Sequence, residues 1–300
     1  MKLLLILTKR NTKMFFKEKG LFFTSLITPL ILLLLYATFL GNVYHDSFMS
    51  GLPAGVTLDS KLVDGYVCAQ LTSSILAVSC VTVAFCSNML SVQDKANGTI
   101  KDLTITPVPL HTLSISYYAA TFVATITVCI VATVVCFVYT AIVGWFMSFA
   151  DVLLLLLDVF LLVMLGTALS GLVCHFLSSQ GQISAVGSIV SSCYGFISGA
   201  YMPISQFSTG LQRLISFLPG TYGTSLLRNH AMRGVFAQME SEGLPVEFIE
   251  QSKKLADCNV YFFDKKVPMG AMYLILSASI ILLISAYVLI NVLAGKKKSK

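Results

Sequence analysis

Asp158 is the acid set well inside a long apolar run, on the inner side of Asp151. A carboxylate at membrane depth costs roughly 2.5–3.5 kcal/mol on insertion scales, so it must face protein or water rather than lipid. Three roles fit the position: a hydrogen bond to a Ser or Thr of a neighbouring span, a place in a wetted outer vestibule, or a proton or cation site. The other reactive types are dispersed. His45, His111, His175 and His230 stand singly. The sequence has no His-Glu-x-x-His, and no inner Cys/His cluster with metal-ligand spacing. It also lacks a Gly-x-x-x-x-Gly-Lys-(Ser/Thr) phosphate cradle. A nucleophile with a base and an orienting partner cannot be assembled from spacing. The chain is therefore expected to catalyse nothing itself and to carry no metal, nucleotide or other cofactor.

The elements that would position Asp158 are apolar runs. The 300-residue chain is 56% hydrophobic and 11% charged, whereas soluble domains carry roughly 25% charged residues. Charged residues are absent from Leu103 to Ala150 and from Val159 to Gln212. About 20 apolar residues as helix span a bilayer core of roughly 30 Å. The pattern predicts an all-α polytopic membrane protein with six transmembrane helices: Gly20–Leu40, Tyr66–Leu90, Leu113–Val143, Val152–Leu177, Ile183–Met202 and Met269–Leu293. Six of the eight cysteines fall well inside these runs, where a thiol behaves as a small hydrophobe, and Cys68 stands at the very start of one. Cys68 and Cys258 alone are placed to face an oxidising compartment.

Lysine and arginine near the span ends set the orientation. The N-terminal tail holds Lys2, Lys9, Arg10, Lys13, Lys17 and Lys19, and the C-terminal tail Lys296, Lys297, Lys298 and Lys300. Both termini are thus expected in the cytoplasm, with the protein in the plasma membrane. The net charge of +6 argues for this orientation and not for nucleic-acid binding. The loop at residues 91–112 then faces the cytoplasm, and the segment at 203–268 faces outward. Residues 1–19 form their own unit. At about 100° per residue their basic side chains gather opposite Leu3, Leu4, Leu7, Met14 and Phe15. That is an amphipathic interfacial helix against the membrane lipids, serving as an anchor or also as a docking site for a cytoplasmic partner.

Within the inner loop, Asn97-Gly98 is predicted to end the second span, because glycine readily takes the left-handed conformation. Thr99 and Asp102 then read as a capping pair opening a short helix. Ile100, Leu103 and Ile105 give it an apolar side, and Pro107 and Pro109 end it. On the outside, Phe207–Leu218 lies between Pro203 and Pro219-Gly220 and reads as a re-entrant or interfacial hairpin. The fifth span is rich in small residues, including Ser188, Ser192, Gly195 and Gly199, which permit close helix approach.

The run Asn97-Gly98-Thr99-Ile100-Lys101-Asp102-Leu103-Thr104-Ile105-Thr106-Pro107-Val108 resembles the signature of permeases of type-2 ABC exporters. Ser198-Gly199-Ala200-Tyr201-Met202-Pro203 and Leu211 to Tyr222, followed by Leu227-Arg228, resemble that family's fifth-span exit and re-entrant hairpin. The resemblance implies a coupling helix with ATPase contacts at Gly98, Thr99, Ile100, Leu103, Thr106 and Pro107. It implies an outer gate at Pro203, Leu211, Pro219 and Tyr222. It further implies a dimer, with itself or a homologous permease, whose path is lined by span two and by Ser188, Ser192, Gly195 and Gly199. Two copies of a separate ABC ATPase subunit, binding ATP and Mg, would drive export of drug, peptide or lipid-like cargo. The sequence departs from the family before Gly98, where Asp94 is the only nearby acid. It also departs at 237–264, which reads as a solvated helical insertion. An ion-coupled secondary transporter or a lipid scramblase is the competing class.

Overall fold

A computed structural model describes residues 2–52, 58–105, 108–263 and 265–298. It is built almost wholly of helices. Lys2–Lys17 forms α1, and Lys19–Leu35 (α2) continues through a π-helical turn at Tyr36–Leu40 into Gly41–Ser50 (α3). Then come Ser60–Ala96 (α4), Thr99–Ile105 (α5), Leu110–Val143 (α6), Phe149–His175 (α7) and Gln180–Ile197 (α8). The segment between α8 and the last long helix holds Thr209–Ile215 (α9), Pro219–Ser241 (α10), Val246–Leu255 (α11) and a hairpin of two-residue strands, Tyr261–Phe262 (β1) with Lys265–Lys266 (β2). Met269–Lys298 is α12.

Five described helical stretches are long and apolar enough to cross a membrane: Lys19–Ser50, Ser60–Ala96, His111–Val143, Phe149–His175 and Met269–Val292. The expected fifth span is helical but shorter than read from the sequence. α8 has 18 residues, includes two glutamines and five serines or glycines among its first twelve, and is not one of the five. It ends early because Gly199 takes φ +74°, which turns the chain before Met202. The first span is longer than expected, since the helix runs unbroken through the π turn to Ser50.

α4 is the axle of the fold. Its 37 residues, about 55 Å at 1.5 Å per residue, are buried along most of their length by α2, α6, α7, α8 and α10. Close approach to α7 depends on Gly166, where a Cβ would stand 2.8 Å from the Cys80 carbonyl oxygen. Thr72, Ser73, Ser74, Ser79, Thr82, Ser87 and Asn88 lie buried within the subunit. Several hydroxyls turn back onto their own helix: Ser79 donates to Ile75 at 2.6 Å and Thr82 to Val78 at 2.9 Å. Thr72 meets Thr140 across the α6 interface at 3.3 Å, and the Asn88 amide donates to Ser170 on α7 at 3.4 Å.

Two N-terminal caps escaped the sequence reading. Ser148 and Asp151 form a reciprocal capping box at the start of α7, and Ser179 and Gln182 do the same for α8. Each satisfies orphan amides that the first helical turn leaves unpaired. Asp151 is therefore held by local structure as well as by Arg233, 2.7 Å away on α10.

Candidate functional site

At the end of the bundle that holds both chain ends, α1, α5 and the start of α6 converge. Gly98 has φ +81° and no neighbour within 4 Å of an added Cβ, so its requirement is one of backbone conformation alone. Its carbonyl accepts from the amides of Lys101 (2.8 Å) and Asp102 (3.3 Å), so the junction residue heading α5 is Gly98, one position before the expected cap at Thr99. Ile100 and Leu103 pack with Val108 against Leu7, Leu113 and Tyr117. Ile105, expected on the same apolar side, is exposed. Thr106 and Pro107 lie outside the described residues.

α1 does not simply float on its apolar face. Arg10 falls with the lysines on a helical wheel, yet its Nη1 donates to Asp94 Oδ2 at 2.8 Å. The Tyr117 hydroxyl donates to the same oxygen at 2.5 Å. The Asn11 side-chain amide, buried, donates to Ser116 Oγ at 3.3 Å. Lys95, next in sequence, donates to the carbonyls of Cys174 (3.1 Å), His175 (2.8 Å) and Leu177 (3.4 Å), which neutralises the C-terminal end of α7. One acid and one base at the foot of α4 thus tie it to α1, α6 and α7. Ser114 Oγ donates to Asn291 at 2.8 Å, which brings α12 to the same end.

Asp158 has partners that local sequence could not reveal. Its Oδ2 lies 2.5 Å from His230 Nδ1, and its Oδ1 accepts from the Tyr273 hydroxyl at 2.6 Å. The carboxylate is fully buried and joins α7, α10 and α12. Its hydrogen-bond partners are a His and a Tyr of neighbouring helices, where the sequence suggested a Ser or Thr. Cys68 and Cys258 are both buried free thiols, against Thr140 and Met232 respectively.

The residues expected at the outer gate are dispersed over one segment. Pro203 is buried, and Pro219 opens α10 at its first turn. The buried Tyr222 donates to the Ser216 carbonyl at 2.6 Å, closing the α9–α10 corner. Leu211 and Leu214 are exposed on α9, and Phe217 is exposed in the turn after it. The expected insertion begins inside α10, which runs on to Ser241. α11 then packs Phe248 against Phe48, with ring centroids 5.4 Å apart. On α8, Ser188 and Ser192 face outward from the subunit, whereas Gly195 is covered by Tyr201 and Gly199 by Ile204. Between α2–α3 and α8 lies a laterally open, mainly apolar cleft of about 690 Å³, lined by Ile31, Leu35, Val43, Ser192, Phe196 and Met202 among others.

The described residues contain no group of three or more His, Cys, Asp or Glu side chains arranged to hold a metal ion. A family model described as ABC-2 type transporter matches residues 2–231, well over half of the chain. No curated protein and no solved structure matches.

Proposed function

The chain belongs to the ABC-2 type transporter family, and from that membership we propose that it is the membrane-spanning subunit of an ATP-driven exporter. As a member it is a permease component of an ABC transporter and an integral membrane protein. The finer reading is that two permease copies form the path and two copies of a separate ATPase dock on the cytoplasmic side. The termini lie on that side in this reading, in the plasma membrane. Cargo of drug, peptide or lipid-like character suits the mostly apolar lateral cleft better than a highly charged solute.

The observation that carries the reading is the convergence of α1, α5 and the foot of α4. A short helix hung from a left-handed glycine and braced by Leu7, Leu113 and Tyr117 offers a rigid handle. Force applied there would pass through Asp94 and Lys95 into α4, against which α2, α6, α7, α8 and α10 pack. The ATPase would supply ATP and Mg; nothing in this chain needs to react. The test is crosslinking in native membranes. Lys101→Cys, on the exposed side of α5, is expected to crosslink to an ATPase polypeptide, and Lys253→Cys on α11 is not. Crosslinking from Lys253→Cys alone would place the partner at the wrong end and refute the reading.

A further inference from the structure

Three successive backbone carbonyls just beyond α8 are each taken by a side chain from elsewhere. Arg228 Nη2 on α10 donates to the Gly199 oxygen at 2.7 Å. The Tyr36 hydroxyl donates to Ala200 at 3.0 Å, and the Tyr44 hydroxyl reaches the Tyr201 oxygen at 3.5 Å. Three residues on, the Ile204 amide donates to Asp257 Oδ2 at 2.5 Å, and the same carboxylate oxygen lies 3.4 Å from Arg228 Nη1. The last carbonyls of α8 itself are capped locally, Tyr194 by the Ser198 amide, Gly195 by Tyr201 and Phe196 by Gly199. Those of 199–201 lie beyond the helix and are gripped by the first membrane helix on one side and by the arginine of an ion pair on the other.

That ion pair is unusual for its setting. Arg228 is 1% exposed, also donates to Ser74 on α4 at 3.1 Å, and leaves its Nε without a partner. Asp257 sits in left-handed backbone at φ +52° as the residue that ends α11, its amide donating to the Lys254 carbonyl at 3.1 Å and that of Cys258 to Lys253 at 2.9 Å. Desolvated pairs of this kind add little net stability while whole, and cost much when one partner is taken away; their best-attested use is to fix one arrangement against another. The turn they hold is also a wall. Tyr201, Met202 and Pro203 bound the outer side of the apolar cleft, whose opposite wall is the π-helical stretch beginning at Tyr36. Such turns recur at functional sites because they interrupt the regular helical ladder. Below the turn, α8 is pinned at its far end, where Ile183 packs with Val92 and Cys174.

We propose that the Arg228–Asp257 pair is the latch of the outer closure. Engaged, it holds the turn at 199–204 against Tyr36 and Tyr44 and shuts the outer end of the cleft. Released, the turn leaves the first membrane helix and the cleft opens outward. The proposal rests on the transporter reading for what is being closed, but the latch is a property of this chain alone.

The test uses the full-length chain in lipid nanodiscs, with the exposed Cys193 replaced by Ser and Met202→Cys as the reporter. The rate of reaction with a membrane-impermeant maleimide reads the turn, and amide exchange over 198–206 reads its backbone. Asp257→Ala is expected to raise both by at least about tenfold, because it strands Arg228 and frees the Ile204 amide. Tyr36→Phe, which removes one hydroxyl, is expected to raise both by about fivefold. Arg228→Lys keeps the charge but loses the forked donors, and should fall between wild type and Asp257→Ala. Unchanged labelling and exchange in Asp257→Ala and Tyr36→Phe would overturn the proposal. A rise spread evenly over every helix would overturn it too, since that marks a weakened fold rather than a released turn. None of these readings needs an ATPase. Local opening in the variants, with no ATPase recovered alongside the wild-type chain from its native membranes, would defeat the transporter reading and leave the latch standing.

Discussion

Arg10 Nη1 stands 2.8 Å from Asp94 Oδ2, and this contact fastens the N-terminal helix to the foot of the central helix. Their positions in sequence are 84 residues apart. Removing either partner breaks a charge-assisted bond, the stronger class of hydrogen bond. Asp94 is mostly buried and Arg10 about a third exposed, so screening moderates the loss on the arginine side.

Arg10→Ala should therefore loosen α1 by about 1–2 kcal/mol. Amide exchange across residues 2–17 is expected to speed up while α7 and α10 stay protected. Equal exchange on α1 with and without the arginine would show that Leu7 and Phe15 alone hold it.

Gly98→Ala meets no steric obstacle, yet forces a β-carbon into left-handed backbone at a cost of about 1–2 kcal/mol. Asn tolerates that conformation better than Ala. ATP-dependent transport by the assembled complex should fall in Gly98→Ala and be largely retained in Gly98→Asn. Equal loss in both would mean that small size, and not backbone freedom, is what the position needs.

The Asp158–His230–Tyr273 hub predicts unequal single effects and strong coupling. His230→Ala leaves a carboxylate buried with one partner, about 3–5 kcal/mol if the pair is ionic. Tyr273→Phe forfeits one hydrogen bond, about 1 kcal/mol. Unfolding in detergent should show Asp158→Asn with His230→Ala costing less together than the sum of the two alone. Strict additivity would mean the two side chains do not interact in solution.

Much of this architecture could be read in advance from the residues. The apolar runs mark the long helices because a bilayer-spanning helix has no other way to satisfy its backbone. Asn97-Gly98 marks the break after α4 because only a few residue types accept its backbone angle. What escaped reading depends on distant partners. α10 carries Arg228, His230 and Arg233, and a helix so polar reads as solvated until α4, α7 and α12 close around it. Asp158 accordingly found its partners 72 and 115 residues away, where no local pattern points. On a helical wheel Arg10 groups with the lysines, because the wheel knows nothing of Asp94. The fifth apolar run continues past Gly199 to Met202, while the backbone turns at the glycine.

The central claim is that this chain transmits force produced by another polypeptide. Tagged full-length chain drawn from its own membranes in mild detergent should bring down ATP hydrolysis. Returned to vesicles with that partner, it should move a lipophilic fluorescent dye only while ATP is hydrolysed. Hydrolysis-free preparations of the chain alone that concentrate the dye on an ion gradient would contradict the account.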